Sequence, residues 1–368
     1  MRNLIILLLV SFFLTSCLDN MQVHKEKENN SESTANTSID FKYWTWITAD
    51  AKRADSSYVS EFRKYKENGL DAVLINTDTD AVLLSRLTPL AKAEGLEVHA
   101  WMFAMNRPGD SIALKHPDWY AVNRNGESTY DKRPYVDYYQ WMCPSREGSV
   151  GHVLDLVERL AKVKGVSSVH LDYIRLPDIF LPIGLLPKYD LKQVEELPQF
   201  DYCYCDVCVA EFEKLHHKDP RKMENPAIDM EWKQFRLNKI NQVVEKAYKI
   251  AHDNGKNLTA AVFPYPEMAD HMVRQRWDKW KIDAVLPMIY NNFYNEELDW
   301  IGWATHQGVE DLKNSNVALH TGIYVPAMSP EEISKAIQLA KDNGAKGVSF
   351  FDGNSLTKEM LSAIKDSQ

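Results

Sequence analysis

The sequence has no surplus of positive charge, no glycine-rich phosphate loop and no apolar run long enough to cross a bilayer. Each absence removes a class of function. With 43 Lys and Arg against 52 Asp and Glu, the formal charge is -9, so neither nucleic acid nor an anionic membrane surface is the expected partner. No strand candidate is followed by a glycine-rich phosphate loop, which argues against an open nucleotide-binding sheet. The run Leu4 to Leu14 is too short for a transmembrane helix. A nucleophilic serine partnered by a histidine is also missing, which disfavours an esterase or deacetylase. The first strand candidate reads Tyr43-Trp44-Thr45-Trp46 and holds no His-x-His, so a catalytic metal is not expected.

What the sequence does contain is a large core and an unusual supply of rings. Of its 368 residues, 45% are hydrophobic and 26% charged, enough to bury a sizeable interior. Ten Trp and 17 Tyr exceed the needs of a core, and surplus aromatics suggest flat ligand faces to stack on. At the N-terminus, Arg2 followed by Leu4 to Leu14 has the charge and length of an export signal covering residues 1–16. Leu14-Thr15-Ser16-Cys17 resembles the lipobox of bacterial lipoproteins, which implies acylation of Cys17 and a membrane contact through that lipid. From there to Asp40 the chain is polar and reads as a tether.

From Phe41 onward, strand and helix patterns alternate. Strand candidates are Phe41 to Thr48, Ala72 to Thr77, Glu97 to Met105, Val166 to Leu176, Leu258 to Pro264, Ala284 to Tyr290, Val317 to Val325 and Lys346 to Asp352. Amphipathic stretches lie between them, and Asn68-Gly69, Glu94-Gly95, Asn254-Gly255 and Asn343-Gly344 supply helix stops before the next strand. Eight alternations predict an α/β fold, a single (β/α)8 barrel over residues 41–368. Two long insertions, Asn106 to Ser149 and Asp178 to Met230, follow the third and fourth strands. Both therefore fall on the C-terminal face, where barrel enzymes build their sites.

The fourth strand carries the densest chemistry. In Val169-His170-Leu171-Asp172-Tyr173-Ile174-Arg175-Leu176-Pro177, period 2 places Val169, Leu171 and Tyr173 on the helix-facing side and turns His170 and Asp172 inward. A carboxylate aimed into a sheet interior is costly unless paired or used. Together with Cys143-Pro144-Ser145, the run Cys203-Tyr204-Cys205-Asp206-Val207-Cys208 and Pro287-Met288-Ile289-Tyr290, this strand resembles the glycoside hydrolase-like TIM-barrel lipoproteins of bacteria, akin to the family-10-like glycosyl hydrolases. The resemblance implies cleavage of a poly- or oligosaccharide at the cell envelope. Glycoside hydrolysis generally uses two carboxyl groups flanking the bond. Asp172, at the position where related barrels often carry the nucleophile, is the first candidate, with His170 and Arg175 expected to orient it. Glu267, just past the fifth strand, is the second, with Asp352 and Asp78 as rivals. A binding shell is expected from Trp44, Trp46, Asn76, Trp101, His170, Arg175, Tyr290 and Tyr324. The alternative is a carbohydrate-binding lipoprotein that does not cleave. Cys143, Cys203, Cys205 and Cys208 match the ligand count and near-spacing of a structural zinc site, and the run resembles the zinc-binding loop of some barrel galactosidases; in an oxidising compartment the same four form two disulfides instead.

Overall fold

The computed structural model describes residues 40–368; the stretch read as an export signal, Cys17 and all but the last residue of the stretch read as a tether lie outside the described residues. Eight strands, β1 Lys42–Thr48, β2 Ala72–Asn76, β3 Glu97–Phe103, β4 Ser168–Asp172, β5 Asn257–Val262, β6 Ala284–Pro287, β7 Ala318–Tyr324 and β8 Gly347–Phe351, pair in parallel and close β8 onto β1. Helices α1 Asp55–Glu67, α2 Ala81–Ala93, α3 Glu147–Ala161, α4 Asp206–His216, α5 Met230–Asp253, α6 Pro266–Val273, α7 Trp300–Leu312, α8 Pro330–Asp342 and α9 Lys358–Asp366 occupy the connections. The chain is a (β/α)8 barrel, as the alternation predicts. No described helix is long and apolar enough to cross a membrane.

Both faces of the strands are buried, which parallel strands under a helical jacket require. Outward residues such as Ile47, Val73, Val169 and Leu171 pack beneath the helices. Inward residues Trp44, Trp46, Leu74, Trp101, Ala261 and Leu286 fill the barrel, joined near its mouth by Phe103, Met288 and Phe351.

Polar side chains inside the barrel are satisfied in ways that fix their states. The Trp46 indole donates to His170 Nε2 at 3.1 Å, and His170 Nδ1 lies 2.9 Å from Thr259 Oγ1. An indole can only donate, so Nε2 is the acceptor and the ring proton sits on Nδ1, facing Thr259. Burial holds the His170 pKa well below its usual value, which keeps the ring neutral. Deeper in, Trp44 stacks on His320 at 3.9 Å.

The fourth strand is shorter than its sequence suggests. It ends at Asp172, and Tyr173 has φ 50°, in the left-handed region that bulky residues seldom occupy. That turn breaks the alternation, so Tyr173 does not follow Val169 and Leu171 under the helices but swings into a cavity at the mouth. Strain of about 1–3 kcal/mol at such a position is characteristic of functional sites.

The insertions fold over the C-terminal face. Segment 104–146 makes local antiparallel bridges at Asn106–Trp141 and Tyr120–Met142, and Asn123 bridges to Tyr202 of the second insertion. The second insertion contains α4 and is pinned by a buried ion pair between Arg236 of α5 and Asp201. Tyr204 adds a 2.6 Å hydrogen bond to the same carboxylate.

Candidate functional site

A cavity of about 330 Å³ opens at the C-terminal ends of the strands. Its floor is built by strand-end residues Trp46, Asp172, Ala261, Met288, Tyr324 and Phe351. The two insertions supply one wall, including Tyr135, Tyr138, Tyr139 and Asp178, and the loops after β5 and β6 supply Phe263, Tyr290, Phe293 and Tyr294. The lining is dominated by aromatic faces with hydroxyls at their edges.

Asp172 presents its carboxyl group at the floor of the cavity. One oxygen accepts the Trp101 indole N–H at 3.1 Å and the other accepts the Tyr173 backbone N–H at 2.7 Å. Register explains the first contact: Phe103 pairs with Asp172, so Trp101 lies one inward step below it. Burial pushes the pKa up to about 6, against the two donors and the more distant Arg175, all of which favour the charged form. A carboxyl group near neutrality inside a cavity can give and take a proton at ordinary pH.

Arg175 does not pair with Asp172. Its guanidinium bonds Asp178 at 2.9 Å and the Leu176 carbonyl at 3.0 Å, and it lies over the rings of Trp141, Phe263 and Tyr173 at 4.7, 5.0 and 5.3 Å. The expected positioning role of His170 also fails, because its ring nitrogens engage Trp46 and Thr259, and it does not line the cavity.

Glu267 is not brought to Asp172. Pro266 and Glu267 form the start of α6, and the carboxylate is exposed outside the cavity lining, in the first turn where an acid favours the helix dipole. Asp352 caps the turn Gly353–Ser355, accepting from the Ser355 amide and hydroxyl, and Asp78 is exposed in the loop after β2. Among the lining residues, the second carboxylate is Asp178. Of the expected binding shell, Trp46, Arg175, Tyr290 and Tyr324 line the cavity. Trp101 touches Asp172 from below, Asn76 accepts the Asp78 amide in its own loop, and Trp44 belongs to the deeper core.

Sequence reasoning missed most of the wall. Tyr135, Tyr138, Tyr139 and Asp178 sit in irregular insertions without periodicity, although the density of tyrosines in Tyr135-Val136-Asp137-Tyr138-Tyr139 was a readable signal.

The four cysteines meet behind the insertion wall. All are buried thiols, and their sulfurs lie within 4.8 Å of one another. Cys143 Sγ is 3.4 Å from Cys205 Sγ and 3.5 Å from Cys208 Sγ, so it favours neither as a disulfide partner. A tetrahedral metal with bonds of about 2.3 Å needs sulfurs separated by slightly under 4 Å. Burial pushes the Cys203 thiol up and contact with Cys143 pushes Cys208 up, while other neighbours favour thiolates. Backbone N–H groups of Val122 and Ser145 point at Cys203 and Cys143, and Cys205 and Cys208 sit at the start of α4, the positive end of its dipole. Burial alone lowers the pKa of Arg146, yet the neighbouring Cys205 and Cys143 sulfurs raise it. The donor set fits a closed four-sulfur metal centre with no open coordination position for chemistry.

No family model matches this sequence, and no curated protein matches it. Solved structures match its fold. The catalytic domain of beta-amylase from Paenibacillus polymyxa is 11% identical with a TM-score of 0.64, covering 89% of this chain and 98% of that one. The PgaB (BpsB) glycoside hydrolase domain from Bordetella bronchiseptica gives 11% and 0.66 over the same shares, 89% and 98%. The beta-galactosidase from the psychrophilic Marinomonas ef1 gives 10% and 0.60, over 88% of this chain and 58% of that one. At such identities the likeness is one of fold.

Proposed function

We propose that this chain is a glycoside hydrolase acting on a poly- or oligosaccharide, with Asp172 as its acid and base. The observation that carries this reading is a carboxyl group with a pKa of about 6 set into a cavity walled by tyrosine and tryptophan. Aromatic faces stack on the C–H surfaces of sugar rings, and phenol hydroxyls at their edges suit the sugar hydroxyls. The fold shared with a beta-amylase and a glycoside hydrolase domain supports the reading. In the reaction Asp172 protonates the departing glycosidic oxygen as the second carboxylate bonds to the anomeric carbon, and Asp172 then takes a proton from the water that displaces that carboxylate and completes the hydrolysis. Asp178 replaces Glu267 as the second carboxylate, with Arg175 holding it in place.

That ion pair also favours the second reading. A buried carboxylate bonded to arginine at 2.9 Å is a poor nucleophile, and a cavity with one free acid suits a carbohydrate-binding protein that does not cleave. Screening the purified domain for product release from soluble glycans separates the two. The hydrolase reading requires turnover that Asp172→Asn abolishes while binding persists. The binding reading requires affinity without products in the wild type.

For the rest of the chain, we propose that the four cysteines hold a structural zinc that fastens the two insertions together. The signal-like segment and Cys17 support a reading as an exported, lipid-anchored bacterial protein on the periplasmic or cell-surface side of a membrane.

A further inference from the structure

The cavity is closed on one side by a short strap of the second insertion, and its path can be followed residue by residue. It begins at Asp178, beyond the end of β4, and is stitched to α6, where the amides of Ile179 and Phe180 donate to the Met272 carbonyl at 2.8 and 3.4 Å. The Phe180 ring stacks on His271 at 4.4 Å. The strap thereby crosses the connection that follows β5. Its next turn, Ile183–Tyr189, lies on the turn Asn291–Tyr294 that follows β6.

The seat of that contact is Gly184. A Cβ there would lie 2.7 Å from the carbonyl oxygens of both Asn292 and Phe293, closer than non-bonded atoms come, so only glycine allows the two backbones to meet. On its return the strap is latched to the first insertion. Gln193 accepts the Leu181 amide and donates to the Tyr135 hydroxyl, which itself donates to the Asp178 carbonyl. Leu181, Pro182, Leu185 and Tyr189 face inward as cavity lining. Among the lining residues, the one largely open to solvent is Tyr138, 51% exposed, on the first insertion.

We propose that this strap makes the cavity blind on the β5 and β6 side, so that it accepts the end of a glycan chain rather than an internal stretch. The inference rests on the carbohydrate reading above and adds the mode of action. A chain passing through would need an exit where Gly184 seals the strap to the β6 loop. With that exit shut, the bound unit is terminal and the remainder of the glycan leaves past Tyr138. The cavity volume of about 330 Å³ agrees, being at the small end of the ~300–1,000 Å³ usual for ligand cavities and sufficient for about one or two sugar rings. Hydrolysis beside Asp172 would then release short products from one end.

The test uses the complete domain and a panel of end-labelled hexasaccharides from α-glucan, β-glucan, xylan, galactan and chitin. The expected result is release of products of about one or two units from a single end, with affinity that stops rising beyond about the second unit. Gly184→Val, checked for wild-type thermal stability and circular dichroism, is expected to weaken binding of the released product by about tenfold and to admit internal cuts. Should that variant misfold, the wild-type product pattern decides alone. Internal cleavage by the wild type, or affinity still climbing at the fourth unit, overturns the strap reading and leaves the hydrolase reading intact. Failure to bind or cut any hexasaccharide overturns the carbohydrate reading itself, and the strap reading with it.

Discussion

Replacing Asp172 by asparagine is expected to make the protein more stable in mild alkali and less stable in mild acid. The folded-state pKa is raised from 3.8 to about 6 by burial, so the stability associated with a protonated Asp172 is complete below about pH 4 and is lost as pH rises through 6. A rise of that size corresponds to about 3 kcal/mol, an upper figure because the group faces a cavity that water can enter. Asparagine has the same shape, carries no charge and does not titrate. Its oxygen can accept from Trp101 or from the Tyr173 amide, and its own N–H2 then faces the other donor, a mismatch of about 1–2 kcal/mol. Asp172→Asn should therefore be about 1–2 kcal/mol less stable than wild type at pH 4 and about 1–2 kcal/mol more stable at pH 8. Urea unfolding of both proteins at whole pH steps from 4 to 8 measures this directly. A stability difference that stays flat over that range would falsify the assignment of the shifted carboxyl to Asp172.

Four other outcomes follow from the placement of these side chains. The purified chain is expected to contain one zinc per four thiols, with Cys208→Ser lowering both zinc content and Tm, the latter by about 10 °C; metal analysis with thiol titration in denaturant checks it, and four unreactive sulfurs without metal would mean two disulfides. Asp201→Ala leaves Arg236 buried without its carboxylate and should cost about 3–5 kcal/mol in denaturant unfolding, unlike an exposed pair. Glu267→Gln should change kcat/KM by less than about twofold and Asp352→Ala should cost about 1 kcal/mol of stability through its lost cap, so a large rate loss in either would return it to the site.

The barrel was legible in the sequence because its signals repeat. All eight strands lie where the apolar runs place them, and glycine follows the ends of α1, α2, α5 and α8 at residues 69, 95, 255 and 344, each at positive φ. Asp172 was legible because a strand has two faces and one of them must look inward. Legibility stopped where the period stops. Tyr173 changes face through a left-handed backbone that no alternation rule foresees. Glu267 was misplaced because position beyond a strand end gives no side-chain direction, whereas Pro266 at the first helical position marked an outward first turn. The pairing of Arg175 with Asp178, three residues on and past Pro177, depends on how the insertion leaves β4, which is a tertiary fact.

The Trp46 indole touches both worlds of this barrel: one side lines the cavity, and its N–H is committed to a histidine locked in a single tautomer. A chromophore whose polar end is held still against a neutral partner has few reasons to change its emission except events at its cavity-facing ring. Occupancy of the cavity is therefore expected to be readable as light from within the barrel wall, without an attached dye. Emission difference spectra between the wild type and Trp46→Phe isolate that signal from the other tryptophans, and its pH profile reports Asp172 from the same vantage.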